Sequence, residues 1–477
     1  MKRLFKFFIM SFMLLSFSSV LYGQQRLWDL TACIDYAIEH NNSIKMQQLT
    51  IDMEALDLKQ SKAVMLPTLT ANATHGYNWG QTVDMYTNEF ASSRVQTNNF
   101  YVQSGFTVFN GFALLNTVKQ HQYNLMSKRL EADKAKNDIM LNVATAYLQV
   151  LFSYEQYAIA SQQRDLSIQQ VDRTRQLVSA GALAKGELLA VEAQLANEEL
   201  AVINAENSLD IAYLTLTQLM NLSEDIDFTI VKPIIELPID SDALTLDATS
   251  IFNVALDKQP EVAAAYIGVE SAQTGLKISR GKASPSLHLS ASIGTGYSGA
   301  RKEFYDYTIT GYQPTMLVTG TGEIVYEPVV EYNEKIKPFG SQIDDNFNQS
   351  VALYLSVPLF NGLQNHSNIQ RTKIAMEQAA LDLEITKQQL QKEIQQAYAD
   401  ARAALKRYEA TQGSVEALQE SFEYANEKFD VGMITSFEYN DAKNKLAAAE
   451  ADLISAKYEF VFKVKVLDFY LGNPMKL

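Results

Sequence analysis

The spacing of apolar positions along this chain falls into two regimes. In four segments it has period two. Leu69, Ala71 and Ala73 stand opposite Thr70, Asn72 and Thr74, and Phe100, Val102, Phe106 and Val108 alternate with Tyr101, Gln103, Gly105 and Thr107. Leu287, Leu289, Ala291 and Ile293 alternate with Ser286, His288, Ser290 and Ser292, and Val351, Leu353, Leu355, Val357 and Leu359 with Ala352, Tyr354 and Ser356. Such alternation predicts strands with one apolar face and one face of small polar residues, as in transmembrane β-strands. An antiparallel sheet on a soluble core would alternate in the same way.

Elsewhere the pattern is helical and unusually long. No proline lies between Pro67 and Pro233 or between Pro358 and Pro474. No glycine lies between Gly111 and Gly181, and only Gly413 between Gly362 and Gly432. Both intervals are rich in Ala, Leu, Gln, Glu and Lys, which favour helix. The spacing predicts long helices over Ala113–Leu177 and Gln364–Phe429, each about 100 Å at 1.5 Å per residue. Shorter helices follow at Ala184–Leu219 and Ser436–Tyr470. Helices of the first length imply a coiled coil or a tubular assembly, since a globular domain cannot use them.

The chain repeats itself. Phe109-Asn110-Gly111 recurs as Phe360-Asn361-Gly362, an offset of 251. Ala146-Tyr147 and Ala397-Tyr398, and Gly181 and Gly432, are related by the same offset. Leu66-Pro67-Thr68-Leu69 and Ser284-Pro285-Ser286-Leu287 are related by 218, so 33 residues are inserted within the second half. Each half reads helix, strand, loop, strand, very long helix, turn, shorter helix. The expected organisation is a first repeat over 24–220, a linker over 221–250, and a second repeat over 251–477 with an insertion at 299–345. Within that insertion Met316-Leu317-Val318 and Ile324-Val325-Tyr326 flank a Gly-containing turn, which predicts a β-hairpin at the cell surface.

Charge and the amino terminus narrow the class. Lys2, Arg3 and Lys6 precede an apolar run from Phe7 to Leu21, and Gly23 offers a small residue for cleavage. Residues 1–23 are therefore expected to be a secretory signal; the run is short for a retained anchor. The formal net charge is -15, and -18 without the three signal cations, which argues against nucleic acid as a partner. The single cysteine, Cys33, excludes an internal disulfide and reads as a small buried apolar residue. His40, His75, His121, His288 and His366 show no metal-ligand spacing, and no nucleophile–base motif occurs. Gly294-Thr295-Gly296-Tyr297-Ser298-Gly299 spells a dinucleotide fingerprint, but no helical pattern follows it. Neither an enzyme nor a cofactor or metal site is expected.

Four strands cannot close a membrane barrel alone, and an open edge in lipid leaves backbone groups unpaired. Closure must come from other copies, and a wide lumen continued by long helices favours twelve strands from three chains. Tyr77, Trp79 and Tyr297, at strand ends, suit an aromatic belt at a membrane interface; His75, on the face of Leu69 and Tyr77, fits that arrangement poorly. A structural coiled-coil or adhesin-like surface protein is the alternative, but a spacer has no need of two strand pairs interrupting its helices at matching places.

On the duplicated helix–strand–strand–helix order, the repeated Phe-Asn-Gly junction and the repeated Gly turn, the chain resembles the TolC family of outer-membrane efflux proteins over essentially its whole mature length. The resemblance implies a mainly α fold with transmembrane β, internally duplicated: a homotrimer with a 12-stranded outer-membrane β-barrel continued by a long periplasmic α-helical barrel. It further implies an exit duct of a tripartite efflux or type I secretion system, embedded in outer-membrane lipid. Its partners would be a periplasmic adaptor (membrane fusion) protein and an inner-membrane pump of RND or ABC type.

The helix turns are then the periplasmic tips. The adaptor would dock on Gly181, Ala182, Leu183, Gly432, Met433 and Thr435, where small and apolar residues stand at hairpin ends. Glu187 and Glu438 each lie six residues beyond the turn glycine, and Asp441 shares a helix face with Glu438. The resemblance makes these carboxylates candidates for a ring at the closed periplasmic end. Better-known members carry a Tyr and an Arg where this chain has Phe429 and Ile434, so either other contacts close its tip or the tip is held less tightly.

Overall fold

The computed structural model describes residues 27–91, 94–223, 228–233, 237–238 and 241–475. The expected signal at 1–23 lies outside them. The elements are, in order, β1 Leu27–Trp28, α1 Leu30–His40, α2 Asn42–Ala63, β2 Thr68–Asn78, β3 Thr82–Val83, β4 Phe90–Ala91, β5 Val95–Phe109, α3 Ala113–Ser179 and α4 Lys185–Met220. There follow β6 Thr229–Ile230, α5 Asp242–Thr245, α6 Ala248–Lys258, α7 Pro260–Lys282, β7 Ser286–Ser298, β8 Lys302–Val318, β9 Ile324–Ile336, α8 Phe339–Asp345, β10 Asn348–Ser356, α9 Gln364–Asp430 and α10 Ser436–Tyr470. The two long helices each have 67 residues, about 100 Å. Among the described residues no helix is long and apolar enough to cross a membrane.

The chain divides into two units, and both contain residues from each half. The first combines the described part of Met1–Glu54 with Asn124–Val269 and Gln378–Leu477. Its core gathers Trp28, Cys33, Ala37, Val143, Tyr147, Val150, Leu216, Met220, Ile251, Leu390, Ile394 and Leu467. The parallel pair β1–β6 sits against this core. The Tyr147 hydroxyl donates to the carbonyls of Val231 at 2.6 Å and Trp28 at 3.3 Å, tying that pair to α3. Its repeat partner Tyr398 is only half-buried, with Arg402 over its ring at 5.9 Å. Cys33 is fully buried, and burial pushes its thiol up to about 12, which leaves it unreactive at neutral pH.

The second unit, Ala55–Tyr123 with Glu270–Glu377, is built on a four-stranded antiparallel sheet in the order β10-β7-β5-β2. The register Ala71↔Val102↔Ile293↔Gln349 fixes which residues share a face. One face carries Leu69, Ala71, Ala73, Phe100, Val102, Phe106, Leu287, Leu289, Ala291, Ile293, Val351, Leu353 and Leu355. The other carries Thr68, Thr70, Asn72, Asn99, Gln103, Ser286, Ser290, Ser292 and Ser350. Two details depart from the alternation. The register shifts at Thr107/Phe109, so Phe109 and not Val108 stands beside Leu287. The last strand stops at Ser356, because Pro358 has no N–H for the ladder.

The repeat extends to single backbone angles. Gly111 and Phe112 have φ of 62° and 63°, and Gly362 and Leu363 have the same pair of values. In both places the asparagine before the glycine caps the long helix. Asn110 Oδ1 accepts from Leu114 N at 3.2 Å, and Asn361 Oδ1 from Asn365 N at 3.3 Å. In the first half Phe-Asn-Gly is thus a strand end, a cap and a left-handed turn in three residues; in the second the strand has already ended at Ser356, and only the cap and the turn recur.

Candidate functional site

Both helix tips close by the same backbone device. The N–H of Gly181 donates to Val178 O and that of Ala182 to Leu177 O; Gly432 donates to Phe429 O and Met433 to Lys428 O. These paired bonds form a Schellman motif, which places a left-handed residue just past the helix, and the two glycines have φ of 76° and 74°. The next helices start differently. Thr435 caps α10 with a full capping box: its hydroxyl accepts from Glu438 N, and Glu438 Oε2 accepts from Thr435 N at 2.9 Å. Ala184, at the start of α4, has no side-chain cap, and Glu187 sits in that helix's first turn.

Each candidate carboxylate on α10 therefore has a local partner. The bonds from the Thr435 backbone and hydroxyl hold the Glu438 carboxyl below the usual glutamate range, so it stays charged into mild acid. Asp441 pairs with Lys445 at 2.7 Å. Within one chain the two form no bare acidic pair; one negative charge is largely matched and the other anchors a cap.

Phe429 stacks on Tyr439 with centroids 4.8 Å apart, and Arg173 of α3 stands 5.9 Å from its ring centre. This cation–π contact links the two halves at the height of the turn. Ile434 and Leu183 are half-buried, whereas Gly181, Ala182, Gly432, Thr435 and Met433 are exposed. The apolar rim of the second tip is broader than the sequence suggested: Val431 is 70% and Phe437 79% exposed beside Met433 at 76%.

The sequence reading missed a buried ion pair further along the same helices. Lys443 Nζ lies 3.1 Å from Glu198 Oε1 and donates to Ser167 Oγ at 2.7 Å and Gln163 O at 3.1 Å. Gln194 donates to Glu198 at 2.9 Å and reaches Asn444 at 3.3 Å. Burial pulls the Lys443 pKa below its ordinary value, and Glu198 opposes that shift. α3, α4 and α10 thus meet at one cation. A signal was present: Ser436, Lys443, Leu446 and Ala449 form the buried stripe of α10, and Val191, Glu198 and Val202 that of α4, so each charge stands in an apolar row.

His75 also finds a place. It hydrogen-bonds Asn98 across the β2–β5 pair and stands edge-on to Tyr77 at 5.2 Å. Arg94 lies 5.1 Å from the Tyr77 ring, and Trp79 6.1 Å. The histidine belongs to an aromatic and polar cluster at the strand end. Among the described residues no group of three or more His, Cys, Asp or Glu is placed to hold a metal ion.

The family model of outer membrane efflux proteins matches residues 33–222 and 251–473, one block for each half. The chain belongs to the outer membrane efflux protein family. Escherichia coli outer membrane protein TolC is 22% identical over 424 residues, 87% of this chain and 76% of that protein. Among solved structures, CusC superposes with a TM-score of 0.74 at 16% identity, covering 93% of this chain and 92% of its own. VceC of Vibrio cholerae gives 0.73 at 16% identity, covering 94% and 96%. This outer membrane efflux protein is accordingly mainly helical with an internal duplication, and it acts in the outer membrane as an exit duct, with a periplasmic helical extension. The family is one of channels, not of enzymes.

Proposed function

We propose that three copies of this chain close a twelve-stranded barrel in outer-membrane lipid and continue it as a helical tunnel into the periplasm. The observation that carries this is the sheet: β2 and β10 are free edges of a four-stranded sheet whose apolar face is exposed, Leu69 and Val351 at 76% each. In hydrocarbon each unpaired backbone group costs several kcal/mol, so the edges must pair with other copies. Lipid then covers the apolar face, and the Ser, Thr, Asn and Gln face lines a lumen.

The duct receives its cargo from an inner-membrane pump of RND or ABC type through a periplasmic adaptor. The adaptor docks on the tips, at Gly181, Ala182, Leu183, Gly432, Met433 and Thr435. The gate lies at the same end, with Phe429 and Ile434 held by packing and Glu438, Asp441 and Glu187 supplying charge. Because Lys445 neutralises Asp441, Glu438 dominates the field at the constriction.

Single-channel recording tests this. The detergent-purified protein should have the mass of three chains and conduct with cation preference. A trivalent cation on the periplasmic side should block it, and Glu438→Gln should weaken the block more than Asp441→Asn. Acidification should weaken the block too, since protonation removes the charge that holds the cation. A monomer mass would overturn the duct; equal block in both variants would move the gate elsewhere.

A further inference from the structure

The insertion of the second half is a two-stranded antiparallel ribbon, β8–β9, with two unlike faces. From the register, one face carries Phe304, Tyr307, Ile309, Tyr312, Pro314 and Val318 on β8, paired with Glu334, Tyr332, Val330, Pro328, Tyr326 and Ile324 on β9. The opposite face pairs Glu303 with Lys335, Thr308 with Glu331 and Gln313 with Glu327. The bulge between Ile309 and Gly311 keeps the aromatic face in step. The only charges on that face, Lys302 and Glu334, lie at the ribbon's foot and pair with each other at 2.8 Å.

Among the described residues nothing covers this aromatic face. Tyr312 is 67%, Phe304 65% and Tyr307 59% exposed. Thirteen residues of β9 at 3.3 Å each make the ribbon about 40 Å long. A lone hairpin is marginal in water and needs a second layer on its apolar side.

The foot of the ribbon is rigid. Gln342 of α8, fully buried, accepts from Ser298 N at 3.0 Å and donates to Ser298 O at 3.0 Å and Lys337 O at 2.8 Å. Arg301 and Lys337 both pair with Asp345. The ribbon therefore leaves the sheet in a set direction, continuous with β7 on one side and, through α8, with β10 on the other.

We propose that the aromatic faces of the three β8–β9 ribbons turn inward and pack on one another about the barrel axis, a collar drawn closed over the mouth of the duct outside the cell. A second copy is the occupant for two reasons. A face with no unpaired charge fits itself without a complementary partner. The strand that feeds the ribbon lies in the sheet whose β2 and β10 edges need other copies, so each protomer brings its ribbon to the same end of the barrel. The acidic faces, with Glu303, Asp306, Glu327 and Glu331, then point to water. This inference rests on the trimeric reading above.

Thiol crosslinking tests it. The parent, whose only thiol is the buried Cys33, is the blank. With a short bis-maleimide on intact cells, Tyr312→Cys and Ile309→Cys should each give a covalent dimer of the chain, and Glu331→Cys at least tenfold less. Light scattering on the same purified samples reads the trimer separately. Equal crosslinking from both faces, or none in a sample with trimer mass, overturns the collar and leaves the duct standing; a mass below the trimer overturns the duct. An adduct that is not a multiple of the chain mass assigns the face to a foreign protein. Quenching of a Tyr312→Trp variant by brominated lipid assigns it to the membrane. Either result overturns the proposal.

Discussion

Lys443 and Glu198 show what a charge costs once helices close over it. Their side chains are 4% and 10% exposed, and the lysine has hydrogen-bond partners on two further residues. Removing one member leaves the other buried and unpaired, at about 3–5 kcal/mol, whereas replacing both by apolar residues is often neutral. Lys443→Met should therefore lower the thermal stability of the purified protein sharply, and the double variant Lys443→Met with Glu198→Leu should recover most of it. If the double variant is no better than the single, the pair adds stability of its own. The sequence held this site only as two charged residues standing in apolar rows. Which charge faces which depends on how α3, α4 and α10 pack, and spacing along one helix does not carry that. The same limit explains Glu438: its spacing from Asp441 was legible as a shared face, while its bond to the Thr435 backbone appears only once the turn is built.

At the scale of elements the sequence was read nearly in full, because long helices and alternating strands are repetitive and local. α10 begins and ends where the pattern set it, at Ser436 and Tyr470, and both long helices agree within two residues. The ribbon was found short: its turn was seen, but its strands run to Lys302 and Ile336, since bulges break the alternation that would have revealed them. The Phe-Asn-Gly junctions show where duplication stops being equivalence. A Cβ on Gly111 would meet Gly281 O at 2.5 Å, whereas at Gly362 nothing lies within 4 Å. Within one chain Gly362→Ala bears only the strain of a left-handed alanine, about 1–2 kcal/mol. Gly111→Ala must also push α7 away, so it should reduce folded yield and thermal stability well beyond Gly362→Ala. Equal effects would show that the junction tolerates movement of that backbone.

For the whole molecule, the barrel closure proposed above is a property that no single chain displays. The strands point to it by their number and their unpaired edges, while the tips gave only composition. Val431, Met433 and Phe437 form an exposed apolar rim beside charged helices, and such a rim is retained where a partner covers it. Met433→Glu should abolish export in cells while leaving the trimer and its insertion intact, measured by substrate retention and by the mass of the extracted protein. Loss of the trimer instead would mean that the rim packs between protomers.

The hydrogen bond from Lys337 N to Arg301 O, 3.0 Å long, closes the base of the ribbon like a clasp. Everything from residue 302 to 336 hangs from two neighbouring points, so its length imposes almost no entropic demand on the sheet below. The ribbon is in that sense a cassette. Its length can change while the sheet below keeps its register, and on the topology proposed above a foreign peptide spliced between Arg301 and Lys337 should be displayed on the cell surface.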